Sequence, residues 1–196
     1  EFLATPTSSH RSLVVWNPKT DDPPLGLKVS LNVSIGGSTR LVTRKQIERA
    51  TAVSALLRTI PPSELSRRGI VFMDEPGGAI LKGFEYGFNL RELPAGLDPG
   101  ARLVPMFSLY SKPIRGPPLI VALARASGLS DKEFIRQSIV LPMIEQAGYL
   151  AFRHGLIGEL HEQNVLVELR GGRLSGRFWY RDLSGYTVNP GLRAAA

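Results

Sequence analysis

The chain has 196 residues, 43% of them hydrophobic, with no cysteine and with 24 Lys and Arg against 17 Asp and Glu, a net charge of +7. That size can bury one large core or two small ones, the hydrophobic content excludes a disordered chain, and the lack of cysteine excludes disulfides, thiolate metal sites and cysteine-bound clusters. The 18 Arg and 6 Lys are scattered, Arg67-Arg68 being the only adjacent arginines, which suits small anionic ligands better than nucleic acid.

No apolar run reaches the roughly 18 residues of a membrane span, and the N-terminus has no signal-peptide pattern, so a cytoplasmic protein without a membrane partner is expected. Glu1-Phe2 without a leading Met and Ala194-Ala195-Ala196 at the end resemble cloning remnants. On that reading the chain is a piece of a longer protein.

From the N-terminus, Arg11 to Trp16 reads as a strand entered from a Thr/Ser-rich turn, which puts Ser9 and Arg11 on one side. After Asp21-Asp22-Pro23-Pro24, the apolar Leu27, Val29, Leu31, Val33 and Ile35 alternate with Lys28, Ser30, Asn32 and Ser34. This predicts one continuous strand with its apolar face on the core. Lys28 then lies on the polar face, either solvated or on the floor of a cleft. In the loop Gly36-Gly37-Ser38-Thr39-Arg40, the glycines allow close backbone approach and Arg40 can clamp a carboxylate or phosphate. The loop has neither Walker nor dinucleotide spacing, and an ordinary turn satisfies the same residues.

Thr43 and Gln46 form a capping box for a helix with Ile47, Ala50, Val53, Ser54 and Leu57 at helical spacing, stopped by Pro61-Pro62. Ile70 to Met73 predicts a short strand ending in the turn Asp74-Glu75-Pro76-Gly77-Gly78, and residues 79–93 and 101–110 read as further strands. Phe84, Tyr86 and Phe88 alternate, as a stacking platform or a packed strand face does. Pro113, Pro117 and Pro118 mark a linker, so a β-rich part over 1–112 and a helical part with a terminal hairpin over 113–196 are expected. In the latter, Leu119 to Ala126 forms a helix, Ser130 with Glu133 caps the next, and Pro142 kinks or restarts it on the way to His154-Gly155.

Val165, Val167 and Leu169 then alternate with Leu166 and Glu168, Gly171-Gly172 offers a two-residue turn, and Leu174 to Tyr180 returns as a second strand. A turn centred there sets Asn164 opposite Trp179 and His161 opposite Asp182. Glu159, His161, Asn164 and Asp182 would converge, and two carboxylates with an amide oxygen make a hard-oxygen set for Mg²⁺. Protein kinases bracket a short hairpin with a similar asparagine and aspartate. The same residues also fit a structural role, capping a helix end and flanking strands.

Four segments in order, PTSSHRSL, LKVSLNVSIGGSTR, ELHEQN and FWYRDLSG, resemble motifs of the siderophore synthetases that work without a peptide-synthetase template (NIS synthetases), the aerobactin-synthetase (IucA/IucC) type. The resemblance covers nearly all of residues 5–188. It implies an α+β fold with a mainly antiparallel sheet and flanking helices, like the central ATP-handling fingers portion of such enzymes. It also implies that a longer parent is an ATP- and Mg²⁺-dependent ligase, adenylating a carboxylate of citrate or a related polycarboxylic acid and passing it to an amine or alcohol.

Carried onto this sequence, the resemblance implies that Ser9, Arg11 and Lys28 contact ATP. Arg40 and His161 would meet phosphate or substrate carboxylate and serve catalysis, and Glu159, Asn164 and Asp182 would hold Mg²⁺. The implied partners are the rest of the synthetase chain and, through the full-length parent, a second copy. Two departures stand out: Gly36-Gly37 replaces the usual Thr-Ser before the substrate arginine, and the family's substrate-binding His-Pro segment and its region after the Arg-Asp motif are missing here. The alternatives are a binding-only or degenerate homologue and a ferric-siderophore reductase-like module, whose iron–sulfur version the missing cysteines disfavour.

Overall fold

A computed structural model describes residues 1–7, 9, 11–35, 37–84, 86–93 and 97–194. In chain order its elements are β1 (Leu3–Pro6), β2 (Ser12–Trp16), β3 (Leu25–Val29), β4 (Ser34–Ile35), β5 (Ser38–Thr39), α1 (Arg44–Leu57), α2 (Pro62–Arg67), β6 (Ile70–Phe72), β7 (Gly78–Ile80), β8 (Gly87–Glu92) and β9 (Ala101–Pro105). They continue with α3 (Leu119–Ser127), α4 (Asp131–Ile135), α5 (Leu141–His154), β10 (Leu156–Ile157), β11 (Val165–Arg170), β12 (Arg173–Tyr180), β13 (Thr187–Val188) and α6 (Pro190–Ala194). The chain forms two compact units. The first comprises Glu1–Ile60, Met73–Gly96 and Asp182–Gly185, and the second Pro61–Phe72, Leu97–Arg181 and Tyr186–Ala196.

The first unit is built on an antiparallel sheet of order β1-β2-β3-β8-β7. The continuous strand expected over 27–35 is broken. Ser30 N still donates to Gly87 O at 2.9 Å, but Leu31 N turns to Arg40 O at 3.0 Å and Arg40 N to Val33 O at 3.1 Å. The segment then folds back on itself through β4 and β5. Uniform alternation cannot distinguish one long strand from two that change partners.

The orientation of β3 also differs from expectation. Gly26 and Lys28 occupy its buried positions while Leu27 and Val29 are half-buried, and on β8 the buried positions are Gly87, Asn89 and Arg91. The well-covered face of the sheet centre is therefore polar. Phe84 and Tyr86 fall between β7 and β8 instead of on a strand face, with ring centroids 6.5 Å apart and Phe84 largely exposed.

Helix α1 begins where its capping box predicts: Thr43 Oγ1 accepts from Gln46 N, and Gln46 Oε1 accepts from Thr43 N. Its buried face is Ala50, Val53, Ser54 and Leu57. Against it packs the 3-10 turn Leu183–Gly185, whose Leu183 is fully buried.

The second unit holds a sheet of order β6-β12-β11-β9, antiparallel except for the parallel pair β6–β12. Helix α2, unexpected from the sequence, starts with Pro62 in its first turn, where a missing N–H costs nothing. The Ser130–Glu133 box caps α4 as predicted. Before Pro142 the helix passes through a π-helical turn, Arg136–Val140, and α5 restarts with Pro142 in its first turn. A proline that cannot donate to the preceding turn forces such a local rearrangement.

The β11–β12 hairpin turns at Gly171-Gly172, both with positive φ (54° and 75°), as a type I′ turn requires. Next to the turn the register is the expected one, Arg170↔Arg173 and Leu169↔Leu174, but a bulge between Val167 and Leu169 shifts the rest to Val167↔Phe178, Leu166↔Trp179 and Val165↔Tyr180. Gly176, at φ 82°, takes the bulge conformation. The expected register, Asn164 against Trp179 and His161 against Asp182, therefore does not hold. Asn164 O instead accepts from Arg181 N at 3.0 Å.

Gly69 (φ 68°) joins α2 to β6 where an added Cβ would lie 2.3 Å from Gly176 O. Gly69→Ala thus combines a left-handed conformation with a backbone clash, and should destabilise the protein by about 2–4 kcal/mol. Gly172→Ala, which meets no atom within 4 Å, should cost only about 1–2 kcal/mol. Urea unfolding of the two variants checks this; equal losses would contradict the steric argument.

Candidate functional site

In the first unit the buried polar faces of β3 and β8 converge on Glu75, which is 0% exposed. Its Oε1 accepts from Arg91 Nε (2.9 Å), Arg91 Nη2 (2.5 Å) and Asp182 N (3.0 Å), and its Oε2 from Asn89 Nδ2 (2.9 Å) and Leu183 N (3.1 Å). These bonds give both oxygens of a carboxylate removed from water the partners that burial demands. Glu75 is in turn anchored from α1: Ser54 Oγ accepts from Glu75 N at 2.8 Å and donates to Asp74. Arg58 Nε binds the same Asp74 carboxylate at 2.8 Å. Gly26 makes room, since a Cβ there would lie 3.1 Å from Arg91 Cβ.

Glu75 holds Asp182 in place. Asp182 has φ 66°, a positive value for a residue other than glycine, a strain that persists only where surroundings over-determine it. With the Asp182 and Leu183 amides bound to Glu75, the Asp182 carboxylate pairs with the Lys28 ammonium and accepts from Ser184 Oγ at 3.1 Å. Lys28 is 6% exposed. Burial pushes the Lys28 ammonium below its usual range, against the opposing charge and hydrogen bond of Asp182. Burial alone would raise Asp182, but Lys28, Arg91 and Ser184 together hold it below the ordinary carboxylate value.

Arg11 and Arg40 complete the cationic side. Arg11 is half-buried, its Nη1 donates to Leu41 O at 3.2 Å, and its guanidinium lies within electrostatic reach of Asp182, Arg40 and Arg91. Burial is the largest influence on Arg11 and lowers its pKa. Ser9 and Arg11 sit in the turn before β2, closed by Ser12 N to Ser9 O at 3.3 Å, so strand alternation does not govern them. Four cations (Arg11, Lys28, Arg40, Arg91) face two carboxylates (Glu75, Asp182), a surplus of two positive charges that can receive an anion. Asn89 Oδ1 is a buried acceptor with no hydrogen-bond partner among the described residues. Gly37, at φ 79°, is exposed beside Arg40's hairpin, and Gly36 lies outside the described residues.

The other expected site residues belong to a loop of the second unit. Glu159 and His161 are exposed, His161 Nε2 lying 3.8 Å from Glu159 Oε1, and His161 Nδ1 accepts from Gln163 N at 3.2 Å. Asn164 is buried, and its Nδ2 donates to Glu159 O at 3.3 Å, which leaves its amide oxygen free of that bond. Arg181 clamps the same loop, Nε and Nη2 reaching Gln163 O at 3.0 and 2.7 Å.

Carboxylate and amide oxygens are the donor types Mg²⁺ takes; Glu159 and Asn164 in the second unit's loop and Asp182 in the first unit each carry such an oxygen. Among the described residues no three His, Asp or Glu side chains are grouped closely enough to hold a metal. Sequence reasoning missed Glu75, Asn89, Arg91 and Arg181. Glu75 looked like a turn residue before proline. The signal available for the others was the alternation of Asn89 and Arg91 along a strand and the arginine preceding Asp182.

The chain is thus an α+β scaffold in which the buried Lys28 pairs with the half-buried Asp182 among arginines. The sequence model of the IucA / IucC family matches residues 2–111, and the chain belongs to that family. No curated protein matches it. Among solved structures, the petrobactin biosynthesis protein AsbB from Bacillus anthracis str. Sterne superposes at 22% identity over 94% of this chain and 32% of that one, with a TM-score of 0.76. ATP-bound aerobactin synthetase IucA from a hypervirulent pathotype of Klebsiella pneumoniae gives 24%, 98%, 37% and 0.70, and IucC from the same source 21%, 88%, 31% and 0.66. The likeness establishes the shared fold, and the chain spans about a third of the length of these proteins.

Because Asp182 is held below its ordinary value of 3.8, its contribution to stability is present above that value and is lost as pH falls through the lower folded value. Asp182→Asn should therefore flatten the loss of stability below about pH 4. Denaturant unfolding from pH 2 to 6 measures it; identical acid profiles would contradict the pairing.

Proposed function

We propose that this chain is the ATP-handling portion of a cytoplasmic siderophore synthetase, a ligase that adenylates a carboxylate of citrate or a related polycarboxylic acid and condenses it with an amine or alcohol. The observation that carries the proposal is the pairing of the buried Lys28 with the half-buried Asp182, flanked by Arg11 and Arg40, residues of three motif segments gathered in one unit. Family membership and the ATP in the solved IucA structure support it.

In this reading a carboxylate oxygen attacks the α-phosphorus of ATP, the bond to pyrophosphate breaks, and the acyl adenylate is then opened by the amine or alcohol, releasing AMP. Two anions have to approach one another. Lys28, Arg11 and Arg40 lower that repulsion and supply donors where negative charge builds up on the phosphates. Asp182 opposes, through its charge and its hydrogen bond, the lowering that burial imposes on the Lys28 ammonium. Ser9 adds a hydroxyl donor, and His161, on an exposed loop of the second unit, is by its chemistry a candidate partner for a phosphate or a carboxylate. Mg²⁺, when bound, would supply charge neutralisation at the leaving pyrophosphate; Asp182 in the first unit, and Glu159 and Asn164 in the second, carry the oxygen donors it takes.

A second reading is a binding-only homologue, which Gly36-Gly37 favours by removing two hydroxyl donors before Arg40. Catalysis also needs the acid held against the α-phosphate, and on our reading that falls to the remainder of the synthetase chain. Calorimetry should find ATP binding that weakens at least about tenfold in Lys28→Met, the scale of one charged hydrogen bond. Asp182→Asn and Asn164→Ala should each abolish its tightening by Mg²⁺. Residues 1–196 alone should catalyse no citrate-dependent pyrophosphate exchange. ATP affinity unchanged in Lys28→Met would sink the site assignment, and citrate-driven exchange would show that the acid binds within this chain.

A further inference from the structure

The second unit contains a polar cleft of about 450 Å³ between the α2–β6 junction, the first turn of α5 and the bulge of β12. Its lining includes Arg67, Arg68 and Arg177 and one acidic residue, Glu145, an excess of two basic residues. The volume falls within the roughly 300–1,000 Å³ of small-molecule sites.

The cleft is built by specific packing. Gly69 and Gly176 adopt left-handed conformations in direct backbone contact, which brings α2 against the bulge. The buried Gln146 fixes the opposite wall: its Nε2 donates to Arg68 O at 2.7 Å and its Oε1 accepts from Tyr180 OH at 2.5 Å. Two of the arginines lie against aromatic faces. Arg68 Cζ lies 4.0 Å over the Tyr149 ring and Arg177 Cζ 5.2 Å from the Trp179 ring. Stacking holds a guanidinium without cancelling its charge.

Arg177 does reach Glu168 through Nη1 at 3.3 Å, but the fully buried Glu168 is already bound by Arg170 Nε (2.6 Å) and Trp179 Nε1 (3.0 Å). Arg177 Nε is a buried donor with no acceptor among the described residues. Ser66 and Ser175 add hydroxyls on the same lining.

We propose that this cleft is a second binding site, separate from the Lys28–Asp182 site and independent of the ATP reading, for a small molecule carrying at least two phosphate or carboxylate groups. Arg67, Arg68 and Arg177 would supply the charge, and the paired donors of guanidinium match both kinds of oxyanion.

The test is titration of the full chain with inorganic phosphate, pyrophosphate and citrate, read by calorimetry and by amide chemical shifts. Saturable binding of pyrophosphate or citrate, with shifts at Gly69 and Gly176, is expected. It should weaken at least tenfold in Arg67→Glu, an exposed position, and in Arg177→Gln, while Lys28→Met leaves it in place. Preference for pyrophosphate over citrate, or the reverse, identifies the source of the oxyanions. No saturable binding of either, unchanged binding in both folded arginine variants, or loss only in Lys28→Met would each overturn the proposal.

Discussion

One buried carboxylate organises the first unit. Glu75 gathers Arg91 and Asn89 from β8 and the amides of Asp182 and Leu183 from a distant stretch of chain, while Ser54 on α1 holds its backbone. An ionised group without water is tolerated only when it is paired and fully hydrogen-bonded, and removing one partner from such a set costs far more than a surface pair is worth. The polar interior of the β3–β8 sheet follows from this requirement. It explains why Lys28 is buried although the strand around it reads as amphipathic in the opposite sense. The consequence for chemistry is that Asp182 is locked in a left-handed conformation with its carboxylate on Lys28.

Local signals were legible in the sequence. The Thr43–Gln46 and Ser130–Glu133 capping boxes, the restart at Pro142 and the Gly171-Gly172 turn all depend on residues within a few positions of each other, and all appear as read. The α+β class with a mainly antiparallel sheet was legible too. What escaped depends on long-range pairing. The partner change after Val29, the bulge at Gly176 and the inward polar face of β8 are decided by which strands meet, and alternation carries no information on that. Glu75 escaped for the same reason, since its partners lie 14, 16 and more than 100 residues away.

For the site, motif resemblance reached further than local pattern. Lys28, Arg11, Arg40 and Asp182, named from separate segments, share one unit and one electrostatic neighbourhood. Glu159, His161 and Asn164 share a loop of the other unit, braced by Arg181. The residues that touch a ligand in the proposed reading are the ones the motif segments name. The residues that hold them, Glu75 and Arg181 above all, were not, because a supporting residue has no chemical signature of its own until its partners are known.

The central claim, that Glu75 holds the Asp182 turn, is tested most directly by native-state hydrogen exchange in Glu75→Gln. The substitution keeps the shape, removes the charge and replaces one acceptor by a donor. Exchange at the Asp182 and Leu183 amides should accelerate at least tenfold more than at the β11 amides, which report any general loss of stability. Equal acceleration across both sets, or protection of Asp182 and Leu183 unchanged, would contradict the claim.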